Sequence, residues 1–219
     1  MRQQKLKVEG VIPKDDAFNL YDWEAYLQRI NELNYSSKEW AAVYQNALED
    51  IKCWNQMACD SEKYLSKTAV ISHRDLDPKN VLWNGEKPFI IDWEAAGYVN
   101  PYQELLEAVN YWTDDGTGKL VEEKFYALID TYSSYMDIST VIWDEVFHGS
   151  YIGMLGWLEY NVKRALGMEV SDESEILLGE SQVIRTIQEL YSYQGKIGQI
   201  WEWLGYGKSQ ESKGRMRKW

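Results

Sequence analysis

Apolar residues recur three and four apart along most of the chain, interrupted by one stretch of different rhythm. The spacing predicts an amphipathic helix over residues 16–34 and a clearer one over 36–57, where Trp40, Val43, Tyr44, Ala47, Ile51 and Trp54 form one stripe. Ser36-Ser37-Lys38-Glu39, just before that stripe, has the form of a capping box. The helical period then stops. Residues 69–71 read as a short buried strand, and residues 73–80 as a loop because Pro78 lies inside it. Residues 81–83 and 88–91 read as two short strands joined at Asn84-Gly85, a strong hairpin signal. After Asn100-Pro101 the helical period returns, predicting helices near 101–113, 118–136, 139–166 and 179–204. Gly149, Gly153 and Gly156 fall on the third of these, where close helix–helix packing is the expected reason for small residues. The expected class is therefore mainly α (α+β), with a small β-hairpin between helical stretches.

Composition adds little to that picture, and charge adds more. The 219 residues are 45% hydrophobic and 26% charged, an ordinary globular balance. The formal net charge is -12, but residues 1–14 carry +3 and residues 208–219 carry +4, so the body, 15–207, carries -19. The expected organisation is a basic N-terminal tail over 1–14, one domain over 15–207 and a basic C-terminal tail over 208–219. An acidic body disfavours nucleic acid and anionic membranes as partners and favours a cationic one. The longest apolar stretch, 151–158, is too short to span a bilayer. Cys53 and Cys59 point apart on a predicted helix and are expected to be buried, reduced thiols, which suits the cytoplasm. With only His73 and His148 as imidazoles, zinc is not expected.

The chemistry is concentrated in Ile71-Ser72-His73-Arg74-Asp75-Leu76-Asp77-Pro78-Lys79-Asn80 and in Phe89-Ile90-Ile91-Asp92-Trp93-Glu94. Asp75 and Asn80 share one loop, and Asp92 ends a hairpin strand directly after three apolar residues. Oxygen groups so arranged suit Mg²⁺, which binds one or two carboxylates together with substrate phosphates. The remaining carboxylate, Asp75, is then placed to orient a hydroxyl and accept its proton, the parts that phosphoryl transfer needs.

The pattern His-x-Asp-x-x-x-x-Asn followed by Ile-Asp-Trp resembles the catalytic and metal loops of the aminoglycoside phosphotransferase and choline kinase-like family, within the protein kinase-like fold. That resemblance implies Asp75 as catalytic base, Asn80 and Asp92 as Mg²⁺ ligands, His73 and Arg74 as structural parts of the loop, and ATP or GTP as phosphoryl donor. It differs from protein kinases proper, since Asp77 stands where those have Lys and Asp92-Trp93-Glu94 where they have Asp-Phe-Gly. Asp77 is read either as repelling a phosphate or as holding a cation.

The resemblance covers about residues 15–205, the helical C-terminal lobe of that fold. The N-terminal β lobe that would hold the nucleotide is expected to be absent, because no Gly-x-Gly-x-x-Gly occurs and only 72 residues precede His73. An uncovered lobe should then expose an apolar face, and a homodimer through that face is expected. In this family, acids and aromatic side chains of the lobe take a small cationic acceptor. The candidates here are Asp114, Glu159 and Trp112, whereas Glu104 is expected to serve the N-terminus of its helix. The implied function is a Mg²⁺-dependent phosphotransferase acting on a hydroxyl of an aminoglycoside- or choline-like molecule. The alternative is a catalytically incompetent binding module derived from such an enzyme.

Overall fold

The computed structural model describes residues 20–168, 170 and 172–205; both basic tails and the start of the first expected helix lie outside them. The described residues are mostly helical, with two small antiparallel sheets. They fall into two compact units. One holds Leu20, 54–114 and 123–152; the other holds 21–53, 115–122 and the described residues from 153 onward.

The first unit contains the later turns of α2 (Glu39–Leu65), the four strands, α3 (Pro101–Trp112), α4 (Glu122–Ser133) and α5 (Trp143–Gly149). Helix α2 runs past the expected end at residue 57 because its buried stripe continues through the small residues Ala58 and Ser61 to Leu65. β1 (Val70–Ser72) pairs antiparallel with β4 (Gly97–Val99), which has no strand signal of its own. β2 (Val81–Asn84) pairs with β3 (Lys87–Ile90), and the turn opens on Gly85 at φ 61°, a value glycine adopts at no steric cost. β1 was expected to be buried, yet Val70 and Ile71 are exposed. Trp54 stacks on Tyr151, with ring centroids 5.6 Å apart. Leu105, Leu106, Val109, Phe125, Val146 and Phe147 are buried with them, and α3 packs against α5.

The single helix expected over 139–166 is broken into α5 and α6 (Tyr151–Ala165). Ser150 stands at the break, its hydroxyl bonded back to the Val146 carbonyl at 2.8 Å, a contact that bends helices. Gly149 has the expected close packing: a Cβ there would lie 2.1 Å from Leu65 Cδ1 and 2.7 Å from Gln103 Nε2. At Gly153 nothing approaches within 4 Å, so close packing does not explain that residue.

The second unit contains α1 (Trp23–Glu32), the first turns of α2, most of α6, and α7 (Glu173–Trp203). α1 begins at Trp23, capped by Asp22, and residues 20–22 are not helical; the expected start at residue 16 lies outside the described residues. The capping box is also corrected. α2 opens at Glu39, and the Ser36 hydroxyl donates instead to Asn31 Oδ1 at 2.8 Å. α7 begins six residues before the expected 179, where Asp172 accepts the N–H groups of Ser174 and Glu175. Within this unit Tyr44 is buried and donates to the Trp23 carbonyl at 2.7 Å. The Gly179 backbone lies against α6; a Cβ there would meet Ala165 N at 2.8 Å. The expectation of buried thiols fails, since Cys53 is exposed and Cys59 half-buried.

Candidate active site

The site is built on the first unit, where β1 delivers the chain into the loop 73–80 and β3 delivers it into Asp92. His73 is buried, at 2% exposure, and bonds Ile91 O through Nε2 at 2.7 Å. A carbonyl only accepts, so Nε2 carries the hydrogen. The imidazole and the Trp93 ring meet edge to face, with ring centroids 4.8 Å apart. His73 thus ties the start of one loop to the residue before Asp92.

Arg74 has a left-handed backbone, φ 66°, and so has Asp92, φ 61°. Such non-glycine conformations cost about 1–3 kcal/mol each and persist where neighbours hold them. For Arg74 the holder is Glu104, whose Oε1 accepts the Arg74 N–H at 2.9 Å. Glu104 also stands in the first turn of α3, where an acid was expected to serve the helix N-terminus. The capping residue is Asn100, whose Oδ1 accepts the Tyr102 N–H at 3.0 Å. The Arg74 guanidinium lies over Gly97, where a Cβ would come within 2.6 Å of it.

Asn80, 3% exposed, joins the two halves of the site. Its Nδ2 donates to both Asp75 O, at 2.9 Å, and Asp75 Oδ2, at 2.8 Å. Its carbonyl accepts the Ile91 N–H at 3.0 Å, one residue before Asp92. With Nδ2 turned to Asp75, Asn80 Oδ1 is the atom left for a cation. Asp92 is exposed, with no helix N–H bonded to its side chain. Among the described residues no three His, Cys, Asp or Glu side chains cluster as a ready metal cage. An amide oxygen and one carboxylate fit Mg²⁺ rather than a transition metal, because Mg²⁺ keeps water and phosphate oxygens as its other ligands.

Asp77 caps the short 3-10 turn Pro78–Asn80, accepting the Lys79 N–H at 2.9 Å. Lys79 Nζ stands 3.5 Å from Asp77 and 3.8 Å from Asp75. Asp77 therefore faces a lysine of its own loop.

Of the three acceptor candidates, Trp112 and Asp114 belong to the first unit and Glu159 to the second. Trp112 donates its indole N–H to the Leu76 carbonyl at 2.7 Å and so braces the loop. The Asp114 carbonyl takes Lys124 Nζ at 2.9 Å. Glu159 belongs to the second unit, where it accepts the Tyr26 hydroxyl and pairs with Lys163 at 2.7 Å. Burial first, and then the bond to Glu159, hold the Tyr26 hydroxyl well above its ordinary pKa.

Sequence reasoning missed Glu107. It lies on α3 between Glu104 and Trp112, the two residues that touch the loop. Burial, then Asp75 and Glu104, push its carboxyl from 4.5 up to about 7; Arg74 acts in the opposite direction and Asp77 adds to the rise. The available signal was an acid set between Leu106 and Ala108, on the helix that also carries Glu104.

Around these polar groups the surface is apolar. Leu82 and Phe89 face each other on one side of the hairpin, Trp83 and Ile90 lie on the other, and all four are exposed along with Ile91 and Trp93. No described helix is long and apolar enough to cross a membrane.

A family model described as Phosphotransferase enzyme family matches residues 12–138, more than half of the chain, and this stretch includes Asp75, Asn80 and Asp92. No curated protein matches the chain.

Proposed function

The chain belongs to the phosphotransferase enzyme family, and from that premise we propose that it transfers a phosphoryl group from ATP or GTP to a hydroxyl of a small cationic acceptor. The observation that carries this reading is the double role of Asn80. One side chain and its own carbonyl hold the Asp75 loop against the strand that ends at Asp92. A base and the oxygen ligands for a cation are thereby kept at fixed spacing before any substrate arrives, which lowers the entropic part of the barrier.

Asn80 Oδ1 and Asp92 would hold Mg²⁺, which when bound neutralises phosphate charge. Asp75 orients the acceptor hydroxyl and takes its proton as the new O–P bond forms and the bond to the departing nucleoside diphosphate breaks. Glu104 keeps Arg74 in its left-handed turn, and the Trp112 indole holds Leu76, so Asp75 is braced on both sides. The exposed apolar side chains of the hairpin support a second element of the proposal, self-association through that face.

The test is Mg²⁺-dependent nucleotide hydrolysis by the chain against Asp75→Ala. Loss of the activity in the variant supports the reading. Equal rates in both, or none in either, defeat it for this chain. Sedimentation at increasing concentration addresses self-association, and a species that stays monomeric throughout overturns it.

A further inference from the structure

The loop 73–80 carries one ammonium group, that of Lys79, and two carboxylates share it. Nζ stands 3.8 Å from Asp75 Oδ2 and 3.5 Å from Asp77 Oδ2, and among the described residues it donates a hydrogen bond to neither. Lysines that brace the fold differ. Lys52 bonds Glu24 at 2.8 Å, Lys163 stands 2.7 Å from Glu159, and Lys124 bonds the Asp114 carbonyl at 2.9 Å. Charge-assisted hydrogen bonds lie in that shorter range. Lys79 is thus attracted by two charges and fixed by neither, with its N–H donors unspent. Its side chain is 64% exposed, so the ammonium faces solvent.

The backbone beneath it is fixed. Asp77 accepts the Lys79 N–H at 2.9 Å and opens the 3-10 turn Pro78–Asn80. Asn80, the next residue, is buried and bonded to Asp75 through Nδ2 and to Ile91 N through its carbonyl. A fixed stem with a loose cationic head therefore adjoins the proposed Mg²⁺ ligand and lies 3.8 Å from the proposed base. The other cation of the loop, Arg74, lies over Gly97.

Phosphoryl transfer spreads negative charge over the outer oxygens of the moving group, and a cation aimed there acts as that charge develops. Asp75 and Asp77 would repel the same charge. The loop needs a positive group where the phosphoryl meets the base, and Lys79 supplies it. Resting on the reading of Asp75 as base, we propose that Lys79 is a second catalytic residue, whose ammonium leaves the two aspartates and donates to a non-bridging oxygen of the phosphoryl group in flight. The acceptor oxygen bonds phosphorus, the bond to the nucleoside diphosphate breaks, the hydroxyl proton goes to Asp75, and Lys79 keeps its own protons.

The experiment is calorimetric titration of the full chain with MgADP, alone and with aluminium fluoride, which on MgADP mimics the phosphoryl group in flight. Wild type is expected to bind the fluoride complex more tightly than MgADP alone. Lys79→Met, which keeps the apolar stem, is expected to lose about tenfold or more of that extra affinity while binding MgADP as wild type does. Lys79→Arg keeps the charge and most of the extra affinity. A residue acting only through Asp75 would have no effect once Asp75 is removed, so the substitution is repeated in Asp75→Ala, where the same loss is expected. Thermal unfolding checks that the variants fold. Equal tightening in wild type and Lys79→Met, an equal loss with MgADP alone, a loss that vanishes in Asp75→Ala, or no tightening in wild type overturns the proposal. Hydrolysis that needs Asp75 combined with full tightening in Lys79→Met defeats this inference alone. Absent hydrolysis defeats the reading of Asp75, and the fluoride titration still decides Lys79.

Discussion

In the unit built on α1, α6 and α7, the acids of the long helices face cations. Glu159 meets Lys163, Glu175 meets Arg164, and Glu180 meets Lys38. In the unit that carries Asp75, four acids crowd a short loop, and Glu107 among them takes neither a hydrogen bond nor an ion pair from the described residues. The same residue type is thus structural in one unit and under electrostatic stress in the other. Paired acids settle a fold. Crowded acids raise the energy of the folded protein unless one of them keeps its proton.

The sharpest test of this contrast is Asp75→Ala. It is expected to lower Mg²⁺-dependent phosphoryl transfer by about 10²–10⁴-fold, the usual contribution of a positioned base, with little change in unfolding midpoint. Initial-rate measurements against wild type check it.

Glu107→Gln comes next and bears on stability with the opposite sign. The folded-state value of about 7 lies above the ordinary 4.5, so the folded protein holds this proton more tightly than the unfolded chain. The stabilising contribution is complete below the unfolded value and is lost as pH rises through the folded one. Above neutrality the substitution should therefore stabilise the protein, by an amount on the order of 2–3 kcal/mol at most. At acid pH the difference should vanish. Urea unfolding of both proteins across that range measures it, and a constant difference at all pH values would remove Glu107 from the crowded set.

In the paired unit the same kind of change should destabilise. Arg164 is buried, its guanidinium 5.3 Å over the Tyr160 ring and directed to Glu175 and Asn161. Glu175→Gln leaves that charge with a weaker partner. Because Glu175 is 46% exposed, the cost is reduced by screening to about 1–2 kcal/mol. The smallest effect is expected for Tyr26→Phe, which removes one hydroxyl from Glu159 while Lys163 stays in place; about 1 kcal/mol is expected. Denaturation midpoints at neutral pH rank the two. A gain in stability from Glu175→Gln would erase the distinction between the units.

The motif residues were legible because their spacing is local. Asp75 to Asn80 is one loop, and the apolar run before Asp92 marks a strand end whatever lies around it. The hairpin and the start of α3 were legible for the same reason, since Gly85 and Asn100 act on their own neighbours. β4 escaped because Gly97-Tyr98-Val99 becomes a strand only through its pairing with β1. The break at Ser150 escaped because the helical period continues unchanged on both sides of it. Glu104 and Trp112 were read as a helix-end acid and an acceptor aromatic. From one segment alone, neither reveals that it faces a loop 30 or more residues away.

By itself, then, the chain's sequence determined where the motif lies and which stretches coil into helices, because propensity, capping and short spacing act within a few residues. Only the tertiary structure decided what each charge faces. The environments of Glu107 and Glu159 depend on segments distant in sequence, and an acid's energy is set by those neighbours and by its distance from water.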